Sequence, residues 1–219
     1  MKWIGFYNYT VILTYLSLLS GLFGIRLAYE GRLGLSILCL VISGICDLFD
    51  GAVARTKKDR TADQKSFGIQ IDSLCDVICF GVFPAVFLYF SGVNTAYGFA
   101  ILAFYVLCAV IRLAYFNVLE TNRQKTEGGC AKEYRGLPVT SSAIIFPFFY
   151  LVGRALSDKT TLILYYVLAF LTALLFISDI RVPKFDVGKY LRRRSRTTAE
   201  EQEVFCNDEE PLPQQVSNS

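Results

Sequence analysis

The sequence predicts an all-α integral membrane protein with six transmembrane helices and both termini in the cytoplasm. Three observations carry that prediction. Hydrophobic residues make up 53% of the 219-residue chain and charged residues only 19%, with a mean hydropathy of +0.42. A soluble domain of this size cannot hide so much apolar surface, so a bilayer is its natural solvent. The apolar residues gather into six runs, each close to the roughly 20 residues that cross a hydrocarbon core. The basic residues between those runs are strongly sided.

The spans fall at about 10–29, 33–54, 67–90, 95–118, 139–156 and 161–178, the last two being 18 residues each and near the short limit. The first is not a cleaved signal peptide, because no small-residue cleavage site follows it and it is long enough to span. Before it, Met1 to Tyr9 read as part of a short interfacial helix with Trp3, Phe6 and Tyr7 at headgroup level. Asn8 and Thr10 read as the N-cap of the first span. One end of the spans carries Lys2, the run Arg55, Lys57, Lys58, Arg60 and Lys65, and the group Arg123, Lys125, Lys132 and Arg135. It also carries Arg181, Lys184, Lys189, Arg192, Arg193, Arg194 and Arg196. Of 22 Lys and Arg, only Arg32, Arg154 and Lys159 fall in the opposite loops, and Arg26 and Arg112 lie within spans. The positive-inside rule therefore puts both termini in the cytoplasm, as an even number of spans requires. The membrane domain occupies 1–190, and the basic then acidic, Pro- and Gln-containing stretch 191–219 reads as a disordered cytoplasmic tail. Its basic cluster serves as a stop-transfer flank or as an attachment to anionic lipid.

Composition also excludes chemistry. The chain has no histidine, which rules out Ser-His-Asp and Cys-His catalysis and any His-ligated metal. Cys39, Cys46, Cys75, Cys79, Cys108, Cys130 and Cys206 form no C-x-x-C pair and mostly sit in apolar runs, as membrane-buried thiols rather than a disulfide framework.

The residues that carry information are Asp47, Asp50, Asp72 and Asp76. The first pair is spaced i, i+3 near the end of the second span, and the other i, i+4 near the start of the third. Each pair therefore projects from one face of its helix. Two spans joined by a short cytoplasmic loop are antiparallel neighbours, so the four carboxylates can converge. An ionised Asp at mid-helix costs roughly 2.5–3.5 kcal/mol on insertion scales, and four together repel one another. Arg55 and Arg112 cannot balance four negative charges. Hard divalent cations with oxygen ligands meet the need, Mg²⁺ or Mn²⁺ before Zn²⁺, and two ions at about 3.5–4 Å separation give the usual arrangement for phosphoryl chemistry. Asp47 lies eight residues before Arg55, about 12 Å along the helix. The site is thus sunk below the cytoplasmic surface, where a substrate that is half lipid and half phosphate can reach it. Gly51 and Ala54 keep that helix face small, and Arg55 offers a planar donor fork suited to a diphosphate. The bland alternative is a polar network or ion path between helices.

Asp47-x-x-Asp50-Gly51-x-x-Ala54-Arg55, followed by Gly68-x-x-x-Asp72-x-x-x-Asp76, resembles the signature of the CDP-alcohol phosphatidyltransferases, and the resemblance covers about residues 5 to 190. It implies a multi-pass membrane enzyme, commonly a homodimer, that displaces CMP from a CDP-linked lipid with an alcohol. It further implies Asp47, Asp50 and Asp72 as metal ligands and Asp76 as general base and possible ligand. Gly51, Ala54, Arg55 and Gly68 are implied as nucleotide and diphosphate contacts. Twelve residues separate Arg55 from Gly68, more than is usual, and the polar surplus around Asp59 to Gln64 is expected to extend the cytoplasmic loop.

The acceptor is indicated by further segments. Asp72 to Ala85, Arg112-Leu113-Ala114-Tyr115-Phe116-Asn117 and Tyr134-Arg135-Gly136-Leu137-Pro138-Val139-Thr140 are similar to motifs of CDP-diacylglycerol–serine O-phosphatidyltransferases. Serine needs a cation for its carboxylate, for which Arg112 and Arg135 are candidates, and polar contacts, for which Asn117 and Thr140 are candidates. The alternatives stay open: Arg112 as an arginine snorkelling to the interface, Asn117 as a helix-terminal polar residue, and Arg135 as a phosphate ligand. The resulting expectation is metal-dependent transfer of a phosphatidyl group from CDP-diacylglycerol to L-serine at the cytoplasmic face of the cell membrane, with no nucleic-acid partner. Its rivals are a phosphorylated acceptor (glycerol 3-phosphate or inositol phosphate), an inactive lipid-binding scaffold, and a cation transporter using the Asp cluster. Against a transporter, all four Asp lie toward one end of two spans, with no charged partners along the other half.

Overall fold

The structure is a computed structural model that describes residues 11–56, 61–125, 133–135, 137–178 and 181–183. Residues 1–182 form one unit, and the second unit, 183–219, lies outside the described residues apart from Pro183. The expected tail and the N-terminal segment with Asn8 and Thr10 are therefore among the undescribed residues.

The helices are α1 (Ile12–Tyr29), α2 (Leu33–Thr56), α3 (Ala62–Asp76), α4 (Phe83–Phe90), α5 (Ala96–Lys125), α6 (Ser142–Gly153) and α7 (Asp158–Ile177). A π-helical turn, Val77–Val82, joins α3 to α4, and the two make one apolar rod over Asp63–Phe90. Among the described residues, five segments are long and apolar enough to cross a membrane: α1, α2, the α3–α4 rod, α5 and α7. Many of their large apolar side chains, such as Leu48, Phe99 and Ile163, are exposed outward. That pattern is natural where the solvent is lipid and unfavourable in water.

The fifth expected span, 139–156, is shorter than the sequence suggested. A 3₁₀ turn, Val139–Ser141, leads into α6, and together they cover only Val139–Gly153. Pro138 is extended (ψ 141°), and its carbonyl accepts from Ser141 Oγ at 2.6 Å, which fixes the start of the segment where the sequence put it. At the other end Thr161 Oγ1 takes the Gly153 carbonyl at 2.9 Å and closes the turn into α7. The third span also differs. Thr61 caps α3 by accepting from the Gln64 N–H at 3.2 Å, and Asp63 sits in the first turn, where the helix dipole favours a negative charge. The polar surplus after Asp59 is thus partly wound into helix rather than extending the loop. Two three-residue strands, β1 (Glu133–Arg135) and β2 (Arg181–Pro183), pair with each other and add a small non-helical element that the periodicity did not reveal.

Small polar residues bind α1 to α2. Ser36 Oγ donates to the Gly24 carbonyl at 2.8 Å, Ser20 Oγ to the Cys39 carbonyl at 2.9 Å, and Ser17 and Ser43 hydroxyls meet at 2.7 Å. Between membrane helices, where apolar burial gives little drive, such contacts and close backbone approach supply the cohesion. Gly24 permits that approach: a Cβ there would lie 2.2 Å from the Phe83 ring. Gly31 (φ 76°) reverses the chain between α1 and α2, a conformation that costs glycine little. The buried core runs through Leu40, Phe80, Phe83, Phe87, Tyr105, Phe146 and Phe176. Cys39, Cys46, Cys75, Cys79 and Cys108 are all free thiols.

Candidate metal centre

Asp47 and Asp50 stand on α2, one turn apart, and Asp72 and Asp76 stand on the last turns of α3. Carboxylate oxygens of Asp47, Asp50 and Asp72 lie within 4.8 Å of one another. Asp76 joins them, its carboxyl within hydrogen-bond range of Asp47, while Asp50 and Asp72 face each other in the same way. Asp50 and Asp76 are buried, and Asp47 and Asp72 half-buried. The tertiary structure therefore brings all four together.

Ionised carboxylates are acceptors only, so oxygens facing one another at this range require something cationic between them. Asp72 Oδ1 is buried and has no hydrogen-bond partner among the described residues. An orphaned acceptor inside an all-oxygen cluster fits a hard divalent cation, whose ligands these would be. Thr14 Oγ1 of α1 donates to Asp50 Oδ2 at 3.0 Å, with Thr14 itself buried. That bond fixes the carboxyl's orientation and leaves its second oxygen for a ligand role.

Gly51 is exposed, and a Cβ at that position would meet nothing within 4 Å. Open space beside the carboxylates suits a bound group there. Gly68 is half-buried one turn before Asp72. Ala54 and Arg55 lie in the final turns of α2, and Arg135 lies in β1, their side chains being outside the described ones. Thr140 is half-buried in the 3₁₀ turn.

Two acceptor candidates have definite tertiary roles. Arg112 is buried on α5, and its Nε donates to the Leu137 carbonyl at 3.2 Å. This burial disfavours a side chain snorkelling to the interface; Arg112 instead ties α5 to the segment that precedes α6. Asn117 Oδ1 accepts from Ser73 Oγ at 2.7 Å, linking α5 to α3 between Asp72 and Asp76. A groove of about 290 Å³ runs beside this contact, lined by Gln70, Ser73, Val77, Leu113 and Asn117 among others.

Sequence reasoning missed Thr14. At this end of the first span only Asn8 and Thr10 stood out, as an N-cap. The available signal was Thr14, Ser17 and Ser20 at three-residue spacing in an otherwise apolar helix, a polar stripe that must face protein rather than lipid.

The sequence profile of the CDP-alcohol phosphatidyltransferase family matches residues 7–178, and the chain belongs to that family. Among its relatives is the archaetidylserine synthase of Methanothermobacter thermautotrophicus, 35% identical over 176 residues, covering 80% of this chain and 69% of the relative. The CDP-diacylglycerol–serine O-phosphatidyltransferase of Methanocaldococcus jannaschii is 36% identical over 175 residues (78% and 72%). The Helicobacter pylori enzyme of the same name is 31% identical over 188 residues (84% and 75%).

Proposed function

We propose that the protein transfers a phosphatidyl group from CDP-diacylglycerol to L-serine, giving phosphatidylserine and CMP. The observation that carries this reading is the convergence of four carboxylates from two neighbouring helices, in a chain 31–36% identical to relatives named as CDP-diacylglycerol–serine O-phosphatidyltransferases. Asp47, Asp50 and Asp72 would hold the metal, Mg²⁺ or Mn²⁺, with Asp76 as a further candidate ligand. When bound, the metal supplies charge neutralisation and polarises the phosphoryl oxygens. Gly51, Ala54, Arg55 and Gly68 receive the nucleotide and diphosphate, the guanidinium of Arg55 taking phosphate oxygens through its planar fork.

Asp76 accepts the proton of the serine hydroxyl as that oxygen attacks the β-phosphorus. The bond from this phosphorus to the CMP oxygen breaks, and CMP leaves with the electron pair. An aspartate is a weak base for an alcohol, so proton transfer contributes only part of the acceleration. Arg112, Arg135 and Thr140 form the acceptor side. We assign Asn117 to the link with Ser73 rather than to serine. Six spans, with the short α6 segment as the fifth, put both termini and the site on the cytoplasmic side of the cell membrane. The active unit is a homodimer, with residues 1–190 as the catalytic domain and 191–219 as a tail.

The test is CMP release by purified protein in detergent with CDP-diacylglycerol and Mn²⁺ or Mg²⁺, comparing serine, glycerol 3-phosphate and inositol phosphate. Serine-dependent CMP that disappears with EDTA and falls at least about a hundredfold in Asp76→Asn is expected. CMP only with a phosphorylated acceptor would overturn serine as the substrate. Ion flux without CMP would replace the enzyme reading by that of a transporter. An ether-linked CDP-lipid, run in parallel, distinguishes the lipid implied by the archaetidylserine synthase relative.

A further inference from the structure

The third span is not a uniform helix. Directly after Asp76 the chain winds as a π-helix from Val77 to Val82, and the Phe83 N–H donates to the Ile78 carbonyl five residues back. The sequence explains the change. Pro84 stands four residues after Phe80 and has no N–H, so the donor that an α-helix would give the Phe80 carbonyl is missing. The ring of Pro84 also crowds that carbonyl, and a π turn relieves the clash.

Tyr105 of α5 supplies the missing partner. Its hydroxyl donates to the Phe80 carbonyl at 2.7 Å and shares a second hydrogen bond of 2.9 Å with Ser142 Oγ of α6. Phe80, Tyr105 and Ser142 are all fully buried. The Tyr105 ring is wedged against Phe146 and Phe176, with centroids at 5.7 and 5.5 Å.

A π turn contains one more residue than the α turn it replaces, so it rotates the helix before it by about 100° relative to the helix after it. The later half is fixed where Phe83 packs on Gly24 of α1. The earlier half carries Asp72 and Asp76. We infer that Tyr105 is a positioning residue for the metal centre: its hydroxyl, held by Ser142, keeps the π turn that points Asp72 and Asp76 at Asp47 and Asp50. The inference rests on the proposed reading of that cluster as a metal-dependent transferase site.

Full-length protein in detergent is titrated with Mn²⁺, the free ion being followed by electron paramagnetic resonance, and kcat and KM for CMP release are measured beside it. Tyr105→Phe keeps the ring and removes the hydroxyl. The expected result is a Mn²⁺ dissociation constant about tenfold higher or more, a lower kcat, and an unchanged KM for CDP-diacylglycerol. A variant that melts earlier yet binds Mn²⁺ as tightly as wild type would reduce Tyr105 to a packing residue and overturn the inference. Pro84→Ala/Tyr105→Phe covers the case where the single variant aggregates. It restores a backbone donor for Phe80 and lets an α turn form, so a normal elution profile with weak Mn²⁺ binding is expected; wild-type affinity in it refutes the positioning role. Wild-type protein that neither binds Mn²⁺ nor releases CMP would remove the transferase reading and the inference together. Wild-type protein that does both, beside an unaffected Tyr105→Phe, removes the inference alone.

Discussion

Thr14→Val tests whether a residue of α1 tunes the metal centre. Valine has nearly the shape of threonine, so the substitution deletes one hydroxyl and opens no cavity. The hydroxyl lies 3.0 Å from Asp50 Oδ2, and relative exposures of 4% for Thr14 and 8% for Asp50 leave little water to replace it. A hydrogen bond to an ionised carboxylate contributes about 1.5–3 kcal/mol. Felt only by the metal-bound form, that would weaken metal binding roughly 10- to 150-fold. Part of the bond is present in the metal-free protein as well, so the lower end, about tenfold, is expected. The assay is a Mn²⁺ titration of wild type, Thr14→Val, Thr14→Ser and Asp50→Asn in the same detergent. Thr14→Ser keeps the hydroxyl and is expected to bind close to wild type. Tight Mn²⁺ binding by Thr14→Val, in a titration where Asp50→Asn loses it, would show that the hydroxyl does not orient the ligand and would refute the reasoning.

Two further perturbations separate packing from ligand contact. Gly51→Ala meets open space and replaces a residue that costs a helix about 0.8–1.0 kcal/mol relative to alanine. Its melting temperature should hold or rise while KM for CDP-diacylglycerol increases; unchanged kinetics would show that no substrate approaches Gly51. Asn117→Ala breaks the 2.7 Å bond from Ser73, and a loss of about 1 kcal/mol in stability with an unchanged serine KM is expected. A serine KM raised alone would return Asn117 to the acceptor site.

Much of the candidate site is legible in the sequence. Asp47 and Asp50, like Asp72 and Asp76, declare a shared helix face through their spacing alone, because side-chain direction along one helix repeats every 3.6 residues. Aspartates inside apolar runs also announce themselves, since lipid makes an unpartnered carboxylate expensive. The long apolar segments were equally plain, although their ends were not. Thr61 moved the start of α3, and the turn closed by Thr161 on the Gly153 carbonyl ended the fifth span early, through local hydrogen bonds that hydropathy does not register.

What the sequence by itself determined was therefore the membrane class, the family motif and the identity of the four carboxylates. All of these depend on composition or on periodicity within one helix. The tertiary structure decided which residues of other helices serve them: Thr14 against Asp50, Asn117 against Ser73, Arg112 against the Leu137 carbonyl, and Tyr105 beneath the π turn. Those partnerships depend on the rotation and register of one helix against another. That alignment is set by close packing at residues such as Gly24 and Gly44, where a Cβ would lie 2.2 Å from the Phe83 ring and 2.4 Å from Ala143 Cβ. No spacing along a single helix encodes it.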